Sequence, residues 1–509
     1  MKNCKMIIFI ILILLLIFIF FLGIFGSSIS FFSVKDIKKD RKINPDLICD
    51  LKINSVTAPY DKNTNTYYYT IGEDKENTNY ILNLNFEDNL KYKIIDEKIN
   101  IVKISYSKEY KIIIYNKKYY YETKIQLTNL PIVKINSKNE ITKYDTFTTL
   151  NYINSNLKEK EITTNSETHV RGATSTLFPK TGYKITFYNK NFTKDKELHI
   201  SNFYYGESLI LDAVYRDPSK IRNLFSIELW NDMSNDFANV DIYSEFVELF
   251  INDEYYGLYV LTEPVNRRKL NLSKSSLKDT SVILKTSLWD VVTSNINIKN
   301  IEENYFNGYE LKYPNDNSLY SIAWEKILSK LSKYYDNYTN SSYKTIKNTF
   351  NINNYIDLII FNTFINNADN KVMKNNYFYL KNLDSDQIFI QPWDMEYSMG
   401  LNYNFKGKNY AEKKMDDYNE IYTDFEHESK EINNLLINRY KELRKNILTK
   451  ENIDKKLNKY INILDKGSAL RDSNIWYEYD IEQEIEEIRT WLYNRLDFFD
   501  NYIESLENE

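Results

Sequence analysis

The chain is short of glycine, histidine and cysteine, and each shortage closes off a class of function. Eleven glycines are spread over 509 residues. No set of them fits the G-x-G-x-x-G fingerprint of a dinucleotide fold, the G-x-x-x-x-G-K-[ST] phosphate loop or the usual kinase glycine loop. Three histidines (His169, His199, His427) and two cysteines (Cys4, Cys49) exclude most Cys/His zinc centres. Only Cys49 lies beyond the N-terminal apolar run, so no intrachain disulfide can form there. A basic surplus is also missing. Lys+Arg is 66 against Asp+Glu 71, a net charge of -5, which leaves no electrostatic footprint for nucleic acid. Carboxylates, amides, Lys and Arg remain plentiful, and these are the groups of hard-cation and phosphate chemistry.

Residues 6–25 are apolar and uncharged, broken only by Gly23. A helix of that length spans a hydrocarbon core of ~30 Å. Lys2 and Lys5 precede it, so the positive-inside rule puts the N-terminus in the cytoplasm and the remainder across the membrane. A cleaved signal peptide is the alternative, although Gly26-Ser27-Ser28 is a poor cleavage site and the apolar stretch is long for that role. The expected organisation begins with a membrane anchor or signal segment at 1–26 and a polar stalk at 27–48. From 49 to 135, β-rich runs such as 66–70, 80–84 and 111–115 alternate with Asn/Asp/Lys turns, which predicts an antiparallel β-sandwich module.

Beyond Pro131 the pattern becomes mixed α+β. Residues 246–251 and 255–261 read as a hairpin around Asn252-Asp253. Residues 318–335, 354–368 and 484–503 carry helical apolar periods, and the middle one is apolar enough to be largely buried.

Three segments could carry chemistry. In Gln391-Pro392-Trp393-Asp394-Met395-Glu396-Tyr397-Ser398-Met399-Gly400, two carboxylates two residues apart follow a strand-like run. Such a pair can present oxygens to Mg2+, which is held by one or two carboxylates plus substrate phosphates. Upstream, Asp369 ends the buried helix, and Asn375-Asn376 opens the next strand. An Asp that receives the substrate hydroxyl, an Asn on Mg2+ and a later metal-binding Asp form the order used by protein kinases, and Asp369, Asn376 and Asp394 follow it. The third segment runs from Val170-Arg171-Gly172 through Lys180 to Tyr183-Lys184, a turn-rich loop feeding a strand. Its cations and backbone N–H groups could cradle phosphates. Taken singly, a helix-ending Asp, an acidic loop and a basic hairpin are more often structural features.

Taken in order, the segments resemble the CotH-type spore-coat protein kinase family. The matching residues are Arg171-Gly172, Ser175, Pro179-Lys180 and Tyr183-Lys184; then Asp217 and Ile221-Arg222-Asn223; then Phe246-Val247-Glu248, Asn252, Tyr255-Tyr256-Gly257-Leu258-Tyr259 and Glu263; then Asp369, Asn376-Tyr377, Pro392-Trp393-Asp394, Glu396 and Gly400. The resemblance implies an atypical bilobal protein-kinase-like domain over 136–509 with a helical C-terminal part. It implies binding of ATP with Mg2+ or Mn2+ and phosphorylation of Ser/Thr in a coat or surface protein. By position, Asp394 resembles the metal-binding Asp and Asp369 the catalytic-loop Asp. Asn376 and Glu396 resemble further metal ligands. Lys180 or Lys184 would meet the α/β-phosphates beside Arg171, Glu228 would pair with that lysine, and Glu263 would help seat the nucleotide. Two residues depart from the pattern: Glu396 replaces a shorter acid, and the strand 282–285 ends in Lys285 where an acid is common. A catalytically degenerate scaffold acting as a structural or adhesive coat protein is the reading from a different class, and AMP transfer by the same site is a third.

Overall fold

The computed structural model describes residues 32–72, 75–86, 90–95, 97, 100–172, 174–193, 196–200, 204–233, 240–286, 301–335, 343–367, 376–380, 387–401, 429–464 and 466–507. The apolar run 6–25, Asp369 and Asn375 lie outside these residues. Among the described residues no helix is long and apolar enough to cross a membrane.

The N-terminal module is built on a six-stranded sheet, with smaller two- and three-stranded sheets beside it. Its long strand Tyr119–Thr128 pairs antiparallel with Glu109–Tyr115, but parallel with Thr66–Thr70 and Lys42–Ile43. The sheet is therefore mixed rather than purely antiparallel. The long connection between residues 70 and 119 is what permits the parallel neighbour, because a parallel pair needs a crossover rather than a hairpin. Tyr67, Tyr69, Tyr92, Tyr106, Ile112, Ile114, Ile125 and Leu127 fill its core.

The next seven long strands close into a barrel. They are β1 (Ile132–Ser137), β2 (Thr146–Ile153), β3 (Glu161–Arg171), β4 (Gly182–Tyr188), β5 (Ser208–Asp212), β6 (Ser244–Ile251) and β7 (Glu254–Thr262). Neighbours around the barrel are β1-β2-β3-β4-β5-β7-β6, and parallel pairing of β1 with β6 completes the circle. Alternation sets the inner face. Tyr183, Ile185 and Phe187 of β4 join Val247, Leu249, Tyr259 and Leu261 inside, while Lys184 falls on the other face. Strand β1 thus belongs to the barrel, so the module's own strands end at Thr128.

Beyond the barrel lies a five-stranded sheet of β8 (Val282–Thr286), β9 (Tyr305–Phe306), β10 (Tyr309–Tyr313), β11 (Tyr377–Leu380) and β12 (Phe389–Gln391), in the order β9-β10-β8-β11-β12. Helices surround it: α1 (Arg222–Asp232), between β5 and β6, then α2 (Tyr320–Tyr335), α3 (Tyr343–Thr349), α4 (Ile352–Ile365), α5 (Lys430–Asn446), α6 (Lys450–Leu464), α7 (Ser468–Ile475) and α8 (Ile481–Glu507). The whole is mixed α+β. Helix α4 is the central one, with almost every side chain buried. Asn351 caps its start, and Asn366 ends it in the left-handed region at φ 47°. The Asn354 amide donates to Ile390 O and accepts from Ile390 N, which pins β12 to the helix.

The module is tied to the barrel and to α7. Tyr68 stacks on Tyr255 at 4.8 Å, and Tyr255 N donates to Asp61. Arg471 of α7 forms an ion pair with buried Glu248 and donates to Tyr106 O.

Candidate active site

Three chain ends meet where the barrel faces the second sheet: the β3–β4 loop, the segment after β5, and the segment after β12. Arg171 closes β3 opposite Gly182, and its guanidinium lies 6.0 Å over the Trp393 ring. Gly172 follows at φ 115°, and a Cβ there would fall 1.8 Å from Ser175 Oγ. The loop can turn this tightly only with glycine. Lys184 of β4 feels the charges of Lys312, Asp145, Arg171 and Glu310. Burial, then the Lys312 charge, pulls its pKa down.

Lys180 has a different setting. Its fully buried ammonium donates to Leu258 O and, at 2.7 Å, to Asp472 of α7. Burial lowers its pKa to about 8. Gly257 sits at φ 92° beside this carboxylate, and a Cβ there would lie 2.3 Å from Asp472 Oδ1. Of the two lysines, Lys184 is the one on the side of Arg171 and β10.

The segment after β5 is strained. Val214 adopts φ 41° and Lys220 φ 61°. A positive φ in a β-branched residue is uncommon and persists only where surrounding contacts fix it. Here Val214 N donates to Asp212, and the Lys220 ammonium donates to Val214 O at 3.0 Å. Asp217 accepts from Arg222 Nη1 at 2.6 Å, and Arg222 Nε reaches Ser398 O. Asn223 donates to Asp212 at 3.2 Å and accepts from Met395 N at 3.2 Å. The Asp217…Arg222-Asn223 motif therefore holds the 394–400 loop against the barrel.

That loop carries Asp394 at φ 57°, its side chain 51% exposed. Lys285 Nζ stands 3.9 Å from Asp394 Oδ2. Glu396 is pushed up to about pKa 8, first by burial and then by the charges of Asp212 and Asp217, with Arg216 pulling the other way. Burial raises the Asp212 pKa as well, and Asp394 adds to it. Asn376 is buried beside β8, its N–H donating to Thr286 Oγ1 at 3.1 Å and its carbonyl accepting from Thr286 N. Sheet register places it one residue before Tyr377, the partner of Gln391, so Asn376 and the start of the 391–400 segment are neighbours.

Glu228 and Glu263 have other partners. Glu228 accepts from Lys459 at 2.6 Å and lies 3.6 Å from Lys456, both on α6. Glu263 pairs with Lys269 at 2.5 Å and accepts from Tyr243 N. Thus Arg171, Lys184, Asn376, Asp394 and Glu396 gather at one seam, while Lys180 and Glu228 are engaged with α7 and α6.

Asp212, Arg216, Asn223 and Lys285 complete the seam without having stood out as site residues. Asp212 had one sequence signal: it is an acid closing an apolar run, 208–212, as Asp394 follows 387–390. Among the described residues no group of three His, Cys, Asp or Glu is arranged to hold a metal ion. The donor chemistry nevertheless suits one hard cation. Carboxylates that raise one another's pKa in a poorly solvated place are relieved by a divalent ion, and two of them suffice when phosphates supply the remaining oxygens.

No curated protein matches the chain. A family model described as CotH kinase protein matches residues 168–499, well over half the chain and every residue of the seam, and the protein belongs to that family.

Proposed function

We propose that this protein is an ATP- and divalent-metal-dependent protein kinase that phosphorylates Ser/Thr in a coat or surface protein. The observation that carries this reading is the meeting of Asp394, Glu396, Asp212 and Asn376 with Arg171, Lys184 and Lys285 at one seam. Phosphoryl transfer needs positioning and charge neutralisation more than covalent help from the protein. Asp394 and Glu396, with Asn376, would hold Mg2+ or Mn2+, which when bound supplies charge neutralisation to the phosphates. Arg171 and Lys184 would add fixed positive charge, and the Gly172 turn would bring backbone N–H groups close. Asp369 is the residue proposed to orient the acceptor hydroxyl. Trp393, Tyr377 and Tyr397 keep water from the far side of the loop, since all three are buried.

Residues 6–25 are proposed as an anchor that holds the kinase domain on the extracytoplasmic side, for instance at the membrane around a spore coat. Nucleic acid has no part in this reading. The test is incubation of the purified full-length chain with γ-labelled ATP, Mg2+ or Mn2+ and candidate coat proteins. Label should enter protein Ser/Thr, and its complete absence with both metals would count against the enzyme. Mass analysis of the product separates phosphate from AMP transfer.

One observation favours a second reading, the degenerate scaffold: Lys285 already stands beside Asp394. A scaffold would show no thermal shift with millimolar ATP and metal, because only a ligand of the native state raises its stability.

A further inference from the structure

Lys285 is the residue the proposed chemistry leaves unexplained. It sits near the end of β8, opposite Glu310 on one side and Tyr377 on the other. Its side chain is 18% exposed, and its ammonium lies 5.5 Å over the Tyr377 ring and 3.9 Å from Asp394 Oδ2. Tyr377 in turn packs edge-on against Trp393 at 5.6 Å, the residue just before Asp394. The ammonium therefore rests over one aromatic ring, itself braced by Trp393, and its charge is delivered to one carboxylate. The other charged groups acting on it are Asp394, Arg171 and Glu310, of which only Arg171 is a cation.

Kinase-type sites commonly neutralise their phosphates with two divalent ions. A divalent ion on Asp394 would here stand within a few ångströms of a fixed ammonium. Like charges that close repel, here across a partly solvated gap because Asp394 is half exposed. The same ammonium can attract phosphate oxygens with no metal present. We propose that Lys285 is the resident counter-ion of Asp394 and replaces one of the two divalent cations, so the site takes a single metal ion and takes it weakly. This rests on the reading of Asp394 as the metal-binding acid.

The test uses the full-length chain and two probes: Mn2+ alone, followed by its electron paramagnetic resonance, and ATP in EDTA, followed by calorimetry. Lys285→Met should shift the two in opposite directions, Mn2+ tighter by about ten-fold and metal-free ATP weaker by about ten-fold, as expected from deleting one nearby charge. Lys285→Arg should keep both close to the parent values. Lys285→Gln puts the same question with a polar side chain should the Met variant fold poorly. If both ligands weaken together, or neither changes, Lys285 has only a structural role and the proposal fails. Asp394→Asn separates this from the underlying reading. Unchanged Mn2+ binding there removes Asp394 as the metal acid. Lost Mn2+ binding there, with an unaffected Lys285→Met, removes only the counter-ion role.

Discussion

Two clusters of charge, each gathered from distant parts of the chain, are built differently. Behind the barrel, α7 presents Arg471 to Glu248 and Asp472 to Lys180 and Lys220. Each sign meets its opposite, and the backbone N–H of Leu258 adds to Asp472. At the seam, burial first and then neighbouring carboxylates raise the pKa of Asp212 and Glu396, with Asp394 acting on Asp212, and Asp212, Asp217 and Asp394 acting on Glu396. The first cluster is satisfied by the chain itself. In the second, cations also stand beside the acids, Arg222 with Asp217 and Lys285 with Asp394, yet the carboxyls of Asp212 and Glu396 are still pushed up. Positive φ occurs in both, at Lys220 in the first and at Val214 and Asp394 in the second. Like charges oppose one another in both clusters, since Lys220 also lowers the pKa of Lys180; what distinguishes the seam is that two carboxyls, Asp212 and Glu396, are driven up together.

The comparison can be broken at either end. Asp472→Ala should be the most damaging change, because it leaves Lys180 and Lys220 buried without their carboxylate. A loss of about 3–5 kcal/mol is expected, read by urea unfolding. A loss below about 1 kcal/mol would mean that the α7 cluster is not the strut described. Asn223→Ala removes the bridge between Asp212 and Met395 N. It should cost about 1–2 kcal/mol and reduce phosphate transfer more than the stability loss explains. Unaltered transfer would show that the 394–400 loop is placed without this bridge.

A further effect concerns pH. The Glu396 pKa rises from 4.5 to about 8 on folding, so the folded chain binds more protons across that window. Stability in metal-free buffer should then fall as pH rises from 5 to 8, and Glu396→Gln should flatten that fall. Lys180, lowered from 10.5 to about 8, acts in the opposite direction only above that window. A wild-type melting temperature that stays level from pH 5 to 8 would remove Glu396 from the opposed cluster.

The sequence was more legible along the chain than across it. The buried helix expected at 354–368 is Ile352–Ile365, cut short by the left-handed Asn366. The hairpin expected around Asn252-Asp253 is β6–β7. Local periodicity carries that information. Barrel closure was not legible, because it depends on Ile132–Ile135 lying parallel to Glu248–Ile251, over a hundred residues away. The mixed module sheet was hidden for the same reason. At the site, the pairing of Lys180 with Asp472, nearly three hundred residues later, was hidden as well. The Asp217…Arg222-Asn223 motif was visible as a pattern, but its work as a clamp on Ser398 and Met395 appears only in three dimensions. Asp369 lies outside the described residues, so its place beside Asn376 and Asp394 belongs to the proposal.

The most direct test is phosphate transfer by Asp394→Ala, measured with γ-labelled ATP alongside urea unfolding. Asp394 is half exposed, but in the variant Ala at this positive φ and the loss of the carboxylate beside Lys285 should cost about 1–2 kcal/mol, with a cooperative unfolding transition retained. Its transfer should fall by about a thousand-fold or more, equal to at least ~4 kcal/mol of barrier. Wild-type transfer by a stably folded Asp394→Ala protein would contradict the account at its centre.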